Sequence, residues 1–244
     1  MKKFLSVLML SSRHIVNKLL LLLFVMIAAE TLSFYFLGIK TQGTYVMSVN
    51  SAHLLIIYLI ALTACCFICM SAEAGKGKQE YLRWRLSVSN RAVELAGMLV
   101  NVMALLVIYA IQIILLFAFW NLYQSHGKFP GAEVTVFADI LTEPGLYYLF
   151  PVNSAGNMTI RVLTIIGLAI ACRKVCSDLI RGKKPGASVG VIGIYLSRQF
   201  FIYITGDFSY LGYSGFVDDI LVIAAAMIIV SVLLFNNQKE DENE

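Results

Sequence analysis

The chain has 244 residues, of which 59% are hydrophobic and 14% charged, with a formal net charge of +4 and a mean hydropathy of +0.79. A soluble domain of this size cannot conceal so much apolar surface, which excludes a water-soluble enzyme or binding module. The modest positive charge gives no ground for a nucleic-acid partner, because basic residues gather where a membrane protein meets the anionic inner leaflet.

Apolar runs of about 18 or more residues read as bilayer-spanning helices, since about 20 residues at about 1.5 Å each cross roughly 30 Å of hydrocarbon. The expected fold class is therefore an all-α integral membrane protein, a single transmembrane domain over residues 1–244 with six spans and both termini cytoplasmic. Residues 1–18 open with Lys2 and Lys3 and an apolar stretch interrupted by SSRHIVNK, without a clean cleavage pattern. This predicts an uncleaved amphipathic interfacial helix. The first span is Leu19 to Gly38 and carries Glu30; the second is Ala52 to Ala72 and carries Cys65, Cys66 and Cys69.

Residues 73–93 then interrupt the apolar pattern with a basic, amphipathic cytoplasmic segment, and the third span follows from Leu95 to Trp120. A turn-rich external segment occupies 121–151. The fourth span, roughly Val152 to Cys172, carries Arg161, and the fifth, Gly186 to Thr205, carries Arg198. The sixth runs from Val217 to Phe235, opening with Asp218 and Asp219, an acid pair expected to face the outside at a helix N-terminus. Residues 236–244 form a flexible acidic tail.

Orientation follows from the lysines and arginines, which favour the cytoplasmic side of short loops. With the N-terminus inside, fifteen of the 19 lie inside: four before the first span, five after the second, five (Arg173, Lys174, Arg181, Lys183 and Lys184) after the fourth, and Lys239. Only Lys40 and Lys128 lie outside, and Arg161 and Arg198 fall within spans. Such a division would be lost if a span were missing.

Ionisable groups inside a bilayer are costly and usually face a partner or a wet cavity. Glu30, Arg161 and Arg198 come out at about the same depth, roughly 18 Å from the cytoplasmic edge. Either a static brace from Glu30 to one of the arginines, or a polar element of a substrate pathway, accounts for them. In the fifth span Gly186 and Gly190, then Gly193 and Ser197, repeat a small-xxx-small spacing that allows close backbone approach, within the bundle or at a subunit interface. The five cysteines, Cys65, Cys66, Cys69, Cys172 and Cys176, read as reduced helix-packing side chains, since no His or acid accompanies the Cys66–Cys69 pair. Neither a catalytic constellation nor a metal set is legible, and His14, His53 and His126 are scattered.

Around the basic segment the chain resembles the permease subunits of type-2 ABC exporters. Glu73 stands at the acidic position of their cytoplasmic loop, Tyr81 to Leu86 at its short helix, and Leu86-Ser87-Val88-Ser89-Asn90-Arg91 at the turn leading into the third span, with Ser87 where the family usually has proline. The resemblance implies that Glu73, Lys78, Tyr81, Arg83, Trp84, Arg85, Leu86, Ser87, Ser89 and Arg91 form a coupling element that docks on a separate ATPase subunit. It also implies a second permease copy or a paralogue as partner, membrane lipids around the bundle, a bacterial plasma-membrane location, and export of an amphipathic peptide or hydrophobic drug, in some cases for self-immunity. No cofactor is expected in this chain, with ATP and magnesium in the partner. A P-loop requires a glycine-rich turn ending in Gly-Lys-Ser or Gly-Lys-Thr, whereas Gly75-Lys76-Gly77-Lys78 is followed by Gln79. Two alternatives stay open: an ATPase-independent binding, sensory or importer substrate-capture component, and an intramembrane lipid-modifying enzyme.

Overall fold

A computed structural model gives the fold and describes residues 2–39, 46–71, 90–125, 155–180, 182, 184–205 and 219–229. All regular structure among them is helical. Helix α1 covers Lys2–Ser33 and continues as a wider π-helical turn over Phe34–Ile39, α2 covers Val46–Ser71, and α3 covers Asn90–Ser125. Helix α4 covers Ala155–Ile180, α5 Gly186–Thr205 and α6 Asp219–Ile229.

Four helices are long and apolar enough to cross a bilayer: Ile15–Phe36, His53–Ser71, Ala92–Phe119 and Ala155–Ile180. They correspond to the first four expected spans and are compatible with a multi-pass membrane protein. Helix α5 has the bounds expected of the fifth span. Helical backbone suits these runs because each N–H and C=O is satisfied within its own segment. Threonines enter the apolar helices at little cost by returning their hydroxyls to carbonyls one turn back, as Thr31 does to Ile27, Thr63 to Leu59 and Thr164 to Ile160.

Helices α2 and α3 begin earlier than the spans expected of them, at Val46 and Asn90, and two further boundaries differ in ways that bear on the interior. The interfacial helix and the first span are one uninterrupted helix, because SSRHIVNK contains no glycine or proline to break it. Helix α4 runs past Cys172 to Ile180, so Arg173 and Lys174 are helical and not loop residues. Arg173 is buried at 2% exposure and therefore is no topology-setting loop charge.

Contacts fix the helix directions. Val7 on α1 packs with Val93 and Ala96 on α3, and Phe34 stacks on Phe119 at 4.8 Å between centroids, so α1 and α3 run parallel. Leu54 joins Phe34 and Phe119, which sets α2 antiparallel to both. Glu94 meets Arg173 while Tyr109 meets Met158, making α4 antiparallel to α3. Gly167 admits α6 against α4: a Cβ there would lie 3.2 Å from the Ala226 Cβ and 3.3 Å from the Val222 carbonyl oxygen.

The α4–α5 connection is local chemistry. Gly182 has φ 68° and donates its N–H to the Leu179 carbonyl at 3.2 Å, ending α4 in a conformation that glycine adopts without strain. Pro185, whose carbonyl accepts from Val189 N–H at 3.1 Å, starts α5.

The core is continuous through α1 to α5 and reaches Val222 of α6. Small residues such as Ala61, Ala104, Ala169, Ala171 and the cysteines let the helix axes approach closely. Outward faces carry Leu21, Phe24, Ile114, Ile194 and Met227, all more than half exposed, the surface expected of helices solvated by lipid.

Candidate functional site in the bundle interior

Most of the polar side chains buried among these helices fall into three groups. The first lies where α3 begins and α4 ends. Arg173 Nε donates to Glu94 Oε2 at 2.8 Å, and Ser177 Oγ donates to Glu94 Oε1 at 3.0 Å. One carboxylate is thus held by both a guanidinium and a hydroxyl from successive turns of α4. Gly97, one turn along α3, makes room for this contact, since a Cβ there would lie 2.4 Å from the Arg173 Cζ. Lys174 Nζ contacts Asp178 Oδ1 at 2.5 Å along the same helix.

The second group surrounds Arg161. Its Nη1 donates to Asp219 Oδ1 at 3.4 Å and to the Tyr195 hydroxyl at 3.5 Å, with both charged side chains almost fully buried. Tyr58 is close enough to Tyr195, Tyr109 and Arg161 to interact with them electrostatically. Four helices, α2 to α5, therefore bring side chains to this level, and α6 adds Asp219. An ion pair here is one way to carry charges through a low-dielectric interior, because each ion alone would be far more costly.

The third group is Glu30 on α1 with Gln112 on α3, adjacent to one another and both at 0% exposure. Among the described residues neither Glu30 oxygen and neither Gln112 amide atom has a hydrogen-bond partner of good geometry. Asn101, further along α3, is also buried, with its Nδ2 unpartnered.

This arrangement separates what equal depth had joined. Glu30 makes no brace to Arg161 or Arg198, because the Arg161 guanidinium is engaged by Asp219 and Tyr195 and the neighbour of Glu30 is an uncharged amide. Nor does Asp219 face outward as a solvated helix-start acid; it is 5% exposed and holds α6 to α4. Arg198 is partly buried on α5, next to the buried Gln199. Gly186, Gly190, Gly193 and Ser197 are exposed. An added Cβ at any of the three glycines meets nothing within 4 Å, so this stripe makes no close packing within the described bundle. The Ser197 hydroxyl turns back onto the Gly193 carbonyl.

All five cysteines are free and buried, and they meet at the α2–α4 seam, where Cys172 contacts Cys66 and Cys69 contacts Cys65. Of the residues expected to form a coupling element, Glu73, Lys78, Tyr81, Arg83, Trp84, Arg85, Leu86, Ser87 and Ser89 lie outside the described residues. Arg91 lies in the first turn of α3.

Gln112, Glu94, Gly97, Tyr195 and Arg173 were not singled out by the sequence reading as site residues. A signal for part of this was present: Glu94, Gly97, Asn101 and Gln112 recur at helical spacing within one apolar run, marking a single face of α3. No family model, no curated protein and no solved structure matches the chain.

Proposed function

We propose that this chain is the membrane-spanning permease subunit of an ATP-driven ABC exporter, working with a separate ATPase subunit and a second permease copy or paralogue. The observation that supports this reading is the Glu94–Arg173–Ser177 contact in the first turns of α3, which follow the basic segment 73–91 directly in the sequence. Force applied to that segment by a partner would reach the first turns of α3. From there Glu94 would pass it to α4, the helix that packs on α2, α3, α5 and α6.

In this scheme ATP and magnesium belong to the partner, and this chain contributes the coupling element and the pathway. Closure of the ATPase subunits would move the coupling element, tilt α3 and α4 together, and open the interior polar groups toward an amphipathic or hydrophobic substrate such as a peptide. The exposed glycine stripe of α5 supplies a face on which a second permease could pack closely. The setting would be a bacterial plasma membrane with both termini inside.

Affinity purification of the chain from its native membranes in mild detergent tests this directly. An ATP-hydrolysing subunit should accompany the wild-type chain, and an Arg83→Glu, Arg85→Glu variant that reaches the membrane in normal yield should lose at least about 90% of it. Recovery of a stable chain without any ATPase would overturn the exporter assignment in favour of an ATPase-independent binding component.

A further inference from the structure

We propose that Glu30 is an intramembrane proton-binding site, neutral when α1 and α3 are packed together and ionised only when that seam opens to water. The geometry of the seam carries the proposal. The carboxyl is completely buried within an apolar span beside the equally buried Gln112 amide, and among the described residues neither group has a hydrogen-bond partner of good geometry. A bare carboxylate in such a place would be strongly disfavoured, whereas the carboxylic acid is an uncharged donor and acceptor matched to an amide.

Among the described residues no cationic group substitutes for the proton. The helices packed on α1 are α2 and α3. Their described interior titratable groups are Tyr58, Cys65, Cys66 and Cys69 on α2, and Glu94 and Tyr109 on α3. On α2, His53 is exposed. None of these donates a hydrogen bond to Glu30. On α1 itself Arg13 and Lys18 are exposed and at least twelve residues away, about 18 Å along the helix. Arg161 is engaged by Asp219.

A metal cation fits poorly, because hard cations take about six or more oxygens. Among the described residues two carboxyl oxygens and one amide oxygen stand together here, and Asn101 stands eleven residues from Gln112, about 16 Å along α3. The proton balance is simple: opening of the seam releases H⁺ from the acid to water and leaves a hydrated carboxylate, and closure takes the proton back. Acid therefore favours the closed seam. Proton binding at Glu30 needs no ATPase and can be measured on the chain alone, so its failure and that of the exporter assignment are separate results.

The test uses the full wild-type chain in lipid vesicles with dicyclohexylcarbodiimide, which adds across a protonated carboxyl and rearranges to a stable N-acylurea without releasing any group. Peptide-resolved mass spectrometry across an acid-to-alkaline series should find the adduct on Glu30, falling about tenfold per pH unit above its titration point. Asp219, ion-paired with Arg161, should stay unlabelled, and sodium or potassium at fixed pH should not protect Glu30. An unlabelled Glu30 in a chain that circular dichroism shows to be folded would overturn the proposal. Protection by sodium or potassium would overturn it equally, pointing to a metal cation, and equal labelling of Asp219 would show that the reagent reports exposure and not a protonated site.

Discussion

At the scale of single residues, interior polar groups in this bundle are governed by the space that small neighbours leave. Gly97 is the clearest case, because its missing side chain is the volume occupied by the Arg173 guanidinium. Replacing Gly97 with Ala should displace Arg173 from Glu94 and destabilise the fold by about 1–3 kcal/mol, the usual range for overpacking a filled interior. Thermal unfolding in detergent would check this, with Arg173→Lys in the Gly97→Ala background recovering part of the loss. A Gly97→Ala chain as stable as wild type would show that Arg173 has another place to go. In the sequence Glu94 shows only as one polar position on a face of α3; its partner could not be read because it lies 79 residues further on.

At the scale of helices, two glycine sites look alike in sequence and differ in structure. Gly167 on α4 lies against Val222 and Ala226 of α6, while Gly190 on α5 faces open space. Gly167→Leu should expel α6 and break the Arg161–Asp219 contact, costing several kcal/mol, because removing one partner of a buried ion pair costs about 3–5 kcal/mol. Gly190→Leu should leave the stability of the single chain within about 0.5 kcal/mol. Size-exclusion chromatography with light scattering would separate two consequences at Gly190: loss of a dimer supports close packing of α5 between copies, and an intact dimer removes that stripe from the interface. The bounds of α5 were legible from composition because Gly182 and Pro185 punctuate the chain. The end of α4 was not, since polar residues at 173, 174, 177 and 178 read as loop until their partners in the bundle are known.

For the molecule as a whole, the helix directions place the N-terminal end of α1, the C-terminal end of α4 and the start of α5 on one side. The proposed orientation, which rests on the excess of lysine and arginine, puts that side in the cytoplasm. Cysteines introduced at the exposed positions Phe4 and Lys184 should react with an impermeant maleimide only from inside, and one at Leu122 only from outside. The native thiols form a silent background, because all five are buried. Labelling of residues 4 and 184 from opposite sides would refute the shared arrangement.

What the sequence determined by itself was the apolar, membrane-compatible character, the helical content, the approximate limits of four candidate spans and of helix α5, and the uneven distribution of basic residues. These are sums over neighbouring residues: hydropathy accumulates along a run, and a glycine or proline acts where it stands. Only the tertiary structure decided which buried groups meet. Arg161 finds Asp219 across 58 residues of chain, whereas Glu30, at a similar depth, finds only Gln112. Depth can be counted along one helix, but a pairing depends on the rotation and sliding of two helices whose packed neighbours are set by side-chain volume throughout the bundle.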